Sequence, residues 1–311
     1  MKIYQNLGSI EPEKCVLTLG TFDGVHLGHQ SIIHRLCEIA GQAESCSTVV
    51  TFEPHPQFVL KPDIKPKLRL LTTLEEKIAF MDNAGIDRLI IIPFTESFAR
   101  LSSETFIKEI LVGKIGFTHI IIGYDHAFGR GRSGNIDALE KLKSAFGYRI
   151  IKMPPFSIDN VIISSTKIRK LLAEGNVNLA STYLGHRYQL NGLVIKGEGR
   201  GRNYATPTAN LRPFSENKLI PQNGIYAGWA LHRGERHKAV IYIGVKPTFS
   251  QNELSVEAFI FNVKTNLYGE TLTLEFATKL RDDTKFENTK QLYNQIELDK
   301  TKTLEFLANY N

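Results

Sequence analysis

The apolar residues of this 311-residue chain change their spacing near Leu184, and that change sets what the two halves can fold into. Before it, short apolar runs recur at residues 16–19, 48–52, 89–94, 119–123 and 149–153. Helical patterns separate them at 28–42, 74–84, 103–111 and 137–146. Strand and helix in strict alternation predict an α/β fold, Rossmann-like, with a mostly parallel sheet and helices on both faces. Ligands on such sheets bind beyond the strand C-termini, which brings loops 20–29, 53–56 and 123–135 to one edge. After Leu184 the runs are short and alternating, at 189–195, 226–231, 239–243, 256–261 and 271–276. Turn residues divide them, and the pattern predicts a small antiparallel β-barrel. A polar helix over 288–308, with Leu292, Ile296, Leu304 and Leu307 as its apolar positions, closes the chain. The expected domains are 1–184 and 185–311, joined by a short helical connection over 175–185. With 42% hydrophobic residues, each half can fill a core of its own.

Composition narrows the partners. Net charge is +6, but the basic residues are scattered with no long Lys/Arg block. That balance suits polyphosphate ligands better than a nucleic acid. No stretch reaches the ~20 apolar residues of a membrane span, and the first residues lack the apolar core of a signal peptide. A cytoplasmic protein is expected, with neither nucleic acid nor membrane as a partner, and as a monomer or weak oligomer. The three cysteines, Cys15, Cys37 and Cys46, all fall in the first half, with neither a disulfide framework nor zinc spacing.

The most informative local run is Gly20-Thr21-Phe22-Asp23-Gly24-Val25-His26-Leu27-Gly28-His29. It joins a buried strand to a helix whose apolar face is Ile32, Ile33, Leu36, Ile39 and Ala40. Two histidines thus stand at a helix N-terminus, where unpaired N–H groups and the helix dipole favour anions. Gly24 and Gly28 allow close approach of a phosphate, and the imidazoles can stabilise charge developing on it. A second patch, Ser164-Ser165-Thr166-Lys167-Ile168-Arg169, places hydroxyls and cations at another helix start, capped by Ser164 or Ser165 and ending near Gly175. Each patch alone also reads as an ordinary capped helix with solvated side chains. The two together fit a triphosphate clamp better.

The second half has its own constellation. Gly197-Glu198-Gly199-Arg200-Gly201-Arg202 can wrap phosphates with backbone N–H groups, and Pro207-Thr208-Ala209-Asn210 follows. In a strand Thr208 and Asn210 share a face, so both oxygens can reach one Mg²⁺. A hairpin rich in turn residues, with two satisfied polar side chains, is an equal reading. Glu257, inside the apolar run 256–261, is a candidate base for a hydroxyl, or a strand residue on the solvated face.

The paired N-terminal patches, with Phe52-Glu53-Pro54-His55-Pro56, resemble the adenylyltransferase module of prokaryotic bifunctional riboflavin kinase/FAD synthetases. The second half resembles riboflavin kinase. Its matches are residues 207–210, Asn223-Gly224-Ile225-Tyr226, Tyr242-Ile243-Gly244 with Pro247-Thr248-Phe249, Glu257, and Leu267-Tyr268-Gly269. The resemblance implies that riboflavin is phosphorylated to FMN, which is then adenylylated to FAD. ATP is co-substrate in both steps, Mg²⁺ is the cofactor, and no tightly bound prosthetic group is required. It assigns His26, His29 and Arg169 to the adenylyl step. Gly20, Phe22, Gly24, Gly28, Ser164, Ser165 and Thr166 are placed around its ATP, and Asp125 and Asn135 near the flavin. In the kinase it implies Gly197, Gly199, Arg200, Gly201 and Arg202 for ATP phosphates, Thr208 and Asn210 for Mg²⁺, and Glu257 as base. Departures stand at Ala127, Ala205, Lys246 and Phe259, where the family more often has Arg, Gly, Arg and His. Of these, Phe259 and Ala205 keep open an alternative, a flavin-binding or FMN-only protein with one module lapsed.

Overall fold

The strand Cys15–Leu19 in the first half has every side chain buried. A computed structural model of the chain describes residues 1–124, 136–196, 208–247, 252–263, 265–308 and 310. In chain order the first half runs β1 (Lys2–Tyr4), β2 (Cys15–Leu19), α1 (Leu27–Gln42), β3 (Cys46–Glu53) and α2 (Pro56–Leu60). It continues through α3 (Leu74–Asn83), β4 (Arg88–Pro93), α4 (Glu96–Ala99), α5 (Ser103–Thr105), a wide π-type helical segment (Phe106–Ile115) and β5 (Phe117–Gly123). Then come α6 (Ile136–Phe146), β6 (Arg149–Met153) and a two-stranded hairpin, β7 (Ser157–Ile158) and β8 (Val161–Ile162).

Six strands form one sheet in the order β1-β4-β3-β2-β5-β6, with every pair parallel. Alternate strand residues feed two cores. Leu17, Leu19, Val50, Ile90, Ile92, Ile120 and Ile122 face the wide helical segment and Leu139. Val16, Val49, Leu89, Ile91 and Ile121 face Ile33, Leu36 and Ile39 of α1 and Met81 of α3. Each such side chain contributes roughly 1.5–3 kcal/mol through burial. This two-sided burial is why the strands read as near-continuous apolar runs. The three-residue edge strand β1 carries no such signal and does not stand out in the sequence.

The chain divides by contact into Met1–Ser165 and Thr166–Asn311. Helices α7 (Ser165–Ala173) and α8 (Val177–Leu184) therefore fall, but for Ser165, with the second unit. Beyond them lie β9 (Tyr188–Ile195), β10 (Ala209–Pro213), β11 (Gly224–His232), β12 (Glu235–Pro247), β13 (Asn252–Ile260), β14 (Thr271–Arg281) and α9 (Thr289–Ala308). The six strands close a barrel in the order β10-β13-β12-β11-β14-β9, antiparallel throughout. Strand β11 is buried on both faces because α9 covers its outside, where Leu307 meets Ala227, Trp229 and Ala277. On α9, Leu307 is buried as expected, but Leu304 is 40% exposed and Thr303 occupies the buried position beside it.

Candidate functional site

In the first unit the chain leaves β2 through a strained turn. Phe22 (φ 47°) and Val25 (φ 38°) hold left-handed backbone, as does Gly24 (φ 87°). Only the last is a residue suited to it, and a β-branched side chain there is an outlier costing of the order of 1–3 kcal/mol. Burial and an anchor hold the turn. Phe22 and Val25 are both in the core, and Asp23 is buried with them. The Asp23 carboxylate accepts the N–H groups of Leu71 (2.9 Å) and Thr72 (3.0 Å), and the Thr72 hydroxyl (3.3 Å). Gly24 N–H donates to the same hydroxyl at 3.0 Å. The turn is thereby fastened to the start of α3, where Thr73 and Glu76 form a reciprocal capping box.

His26 follows as the N-cap of α1, its Nδ1 accepting the His29 N–H at 3.3 Å. This leaves the N–H groups of Leu27 and Gly28, in the first turn, without an intrahelical acceptor. Accepting at Nδ1 puts the proton of a neutral ring on Nε2. His29 stacks on His26 with ring centroids 3.7 Å apart and planes 17° from parallel, and Phe22 meets it edge-on at 5.2 Å. Burial, then the charges of His26 and Lys77, hold the His29 pKa well below that of a free imidazole. Its Nδ1 is buried with no hydrogen-bond partner. Gly20, at the head of the turn, donates its N–H to Val50 O at 3.0 Å. At the end of β3, His55 repeats the capping by accepting the Gln57 N–H at 3.2 Å.

The second patch reaches this turn directly, since the Ser165 hydroxyl donates to Asp23 O at 2.9 Å. Ser164 precedes it in the same unit. Thr166, exposed, and Arg169, half-buried, lie beyond the division between the units on α7, with Ile168 buried between them. Asp125, Ala127 and Asn135 lie outside the described residues, as do Gly197, Gly199, Arg200, Gly201, Arg202 and Ala205.

In the barrel, Glu257 sits mid-strand in β13, with Asn210 of β10 beside it in register on one side and Tyr242 of β12 on the other. Thr208 donates its hydroxyl to Glu257 Oε2 at 2.7 Å, and Ser255, two residues back on the same face, donates to Oε1 at 3.3 Å. Val256, Ala258 and Ile260 turn into the core. Glu257 and Phe259 therefore stand on the opposite face. That face is covered: it lines a cavity of about 350 Å³ closed on its far side by Leu292 and Ile296 of α9. The Tyr242 hydroxyl donates to Asp283 Oδ2 at 3.2 Å, and burial with that carboxylate pushes the phenol up to about 12. Its ring lies along the strand over Gly244, where an added Cβ would stand 2.0 Å from the hydroxyl oxygen. Arg281 grips Asp299 of α9 with two parallel hydrogen bonds of 3.0 and 2.8 Å. At residue 259 the Phe ring carries the ammonium of Lys300 at 4.3 Å. The side chain of Lys246 lies outside the described set. Thr208, Asn210 and Glu257 together offer hard oxygen donors of the kind Mg²⁺ takes alongside nucleotide phosphates.

Known protein families match the two halves of the chain separately. The FAD synthetase family model matches residues 9–167 and the riboflavin kinase model residues 184–307. The bifunctional riboflavin kinase/FMN adenylyltransferase of Buchnera aphidicola from Acyrthosiphon pisum is 36% identical over 304 residues, covering 96% of each chain. The protein of that description from Bacillus subtilis is 35% identical, covering 96% of this chain and 94% of its own. A crystal structure described as a macrolide-efflux protein from Streptococcus pneumoniae superposes with a TM-score of 0.89 at 29% identity, over 99% of both chains. Among the described residues no helix of this chain is long and apolar enough to cross a membrane.

Proposed function

The chain belongs to the family of bifunctional riboflavin kinases/FMN adenylyltransferases, and on that premise we propose how its residues divide the two reactions. The module boundary of this reading lies at 184/185. In the barrel, Glu257 takes the proton from the ribityl 5′-hydroxyl of riboflavin as that oxygen attacks the γ-phosphorus of ATP, and ADP leaves. Thr208 and Ser255 hold the carboxylate in one orientation, and the cavity beneath α9 receives the flavin. Thr208 and Asn210 are the residues that would hold Mg²⁺, which when bound offsets charge on the phosphates. Gly197, Gly199, Arg200, Gly201 and Arg202 are assigned to those phosphates from the sequence.

In the first unit the FMN phosphate attacks the α-phosphorus of ATP and pyrophosphate leaves. The nucleophile is already an anion, so the site needs positive charge and N–H donors rather than a base. The α1 N-terminus and the stacked imidazoles of His26 and His29 meet that need, with Ser165 bonded to the same turn; Thr166 and Arg169 are assigned to the clamp from the sequence. Gly20, Phe22, Gly24 and Gly28 shape the phosphate-facing turn, and Asp125 and Asn135 are assigned to the flavin end. A cytoplasmic location accompanies this reading.

The observation that carries the assignment is the Thr208–Glu257 hydrogen bond at 2.7 Å with Asn210 in register beside it. It is a base and two neutral oxygen donors in one place, as a phosphoryl transfer to a hydroxyl requires. The test is to incubate the pure chain with riboflavin, ATP and Mg²⁺ and separate the products over time. FMN appearing first and then FAD is expected. FMN alone would mean a lapsed adenylyl site, and neither product would overturn the reading.

A further inference from the structure

Lys77 is one of the buried charged side chains of the first unit that the assigned steps leave unused, with Glu76 and Arg88. It sits in the second turn of α3 with only 5% of its surface exposed. Among the described residues its ammonium makes one hydrogen bond, a long one of 3.4 Å to the Thr51 hydroxyl, and has no carboxylate within 4 Å. An ammonium with two of its three donors idle is costly to bury. A structural explanation would make it the counter-ion of Glu53 or Asp23. Neither fits. Asp23 stands beyond ion-pair distance, and its Oδ1 already takes the donors of Leu71 and Thr72. Burial raises the Glu53 pKa despite the pull of Lys77, the opposite of what a tight ion pair does.

Its position points elsewhere. Thr51 passes its own hydroxyl proton on to Thr21 O at 3.4 Å, so Lys77 lies behind the turn that carries His26 and His29. The start of α3 is bolted to that turn through Thr72, which fixes where the lysine stem begins. Its charge is close enough to His29 to help keep that ring neutral. The Lys77 ammonium, with donors to spare, thus lies beside one turn at the C-terminal edge of a parallel sheet, near the α1 N-terminus. That is a place where anions bind.

Resting on the adenylyl assignment above, we propose that Lys77 is a further phosphate-binding residue of the first unit, donating to the polyphosphate of ATP and the departing pyrophosphate. The idle donors and the desolvated charge are then filled by the ligand, and the cost of burying the ammonium is recovered only when polyphosphate is present.

The test uses the full chain with Lys77→Met, Lys77→Arg and the double variant Lys77→Met/Glu53→Gln. Three quantities are read: FAD formation from FMN and ATP, FMN formation from riboflavin, and calorimetric binding of inorganic tripolyphosphate. A hydrogen bond to a charged group is worth about 1.5–3 kcal/mol, or roughly 10- to 100-fold. Lys77→Met is expected to lower kcat/KM for ATP in FAD formation by that factor and to weaken tripolyphosphate binding by about tenfold or more. Lys77→Arg should recover part of both, FMN formation should stay within about twofold, and an unchanged thermal transition and circular dichroism spectrum should show the first unit folded. Removing Glu53 as well should not restore activity. A Lys77→Met chain that binds tripolyphosphate and makes FAD normally, or a double variant that regains activity, overturns the proposal and leaves the adenylyl assignment standing. A wild-type chain that makes no FAD, yet binds tripolyphosphate in a Lys77-dependent way, overturns that assignment and leaves Lys77 as a phosphate ligand.

Discussion

On the roles proposed above, the turn of the first unit and the Glu257 strand of the barrel serve two different ATP reactions, and they are built oppositely. The turn is buried, strained and nearly free of acidic function: Asp23, its one carboxylate, is consumed in holding the backbone. What the turn offers is a pair of stacked imidazoles and helix N–H groups, with the Lys77 ammonium buried behind it. The barrel site is an unstrained strand that presents a carboxylate between a hydroxyl and an amide, on a half-buried surface lining a cavity. The contrast follows from the nucleophiles. A phosphate arrives already charged and needs its charge and that of the leaving group stabilised. A ribityl hydroxyl must lose a proton as it attacks, so one group in the site must accept it.

The sharpest way to break this comparison is to remove one site at a time. His29→Ala should abolish FAD formation while FMN formation continues at its usual rate. Equal loss of both, with the fold intact by circular dichroism, would show that the two sites are not separate. Glu257→Gln should do the reverse, lowering FMN formation by about 10²- to 10⁴-fold, the range for loss of a positioned proton acceptor. FAD formation from supplied FMN should not change. A smaller effect is expected from Gly244→Ala, whose Cβ would displace the Tyr242 hydroxyl. Overpacking of this kind costs about 1–3 kcal/mol, and it should appear as a raised KM for riboflavin with little change in KM for ATP in the adenylyl step.

The smallest effect is a pH dependence confined to the first unit. His29 has a native pKa below its unfolded value near 6.5. Under acid conditions the unfolded chain therefore binds a proton that the native chain resists. Stability is full above about pH 6.5 and falls as pH drops below it, by at most about 1.4 kcal/mol per unit. Thermal unfolding of the first unit between pH 7.5 and 5.5 should show this slope, and His29→Asn should flatten it. A slope unchanged in the variant would place the titration on another group.

Much of this was legible from residue types and spacing. Strand–helix alternation gave the parallel sheet because both its faces are buried, and period-two runs gave the barrel. The histidine turn, the Ser164–Arg169 run and the Thr208/Asn210/Glu257 set were visible because each places its chemistry within a few residues of a helix start or along one strand face. Glu257 shows the limit. Alternation alone allowed a solvated face, and it does stand opposite the core, but α9, thirty and more residues later, roofs that face. Ser255 was within reach of the same i, i+2 argument. Asp23 and Lys77 were not, since their partners lie in distant segments and a single aspartate or lysine has no periodicity. Leu304 misled because the packed side of α9 also takes polar residues, Asp299 and Thr303 among them, so an isolated leucine does not by itself identify that side.

The clasp between Asp23 and residues 71–72 carries a lesson for anyone who would borrow this motif. The ten residues from Gly20 to His29 do not own their shape: two left-handed non-glycine positions are kept in place by backbone amides forty-eight and forty-nine positions downstream. Cut out as a peptide, or spliced onto another scaffold without the segment that follows, the same letters would relax into an ordinary loop.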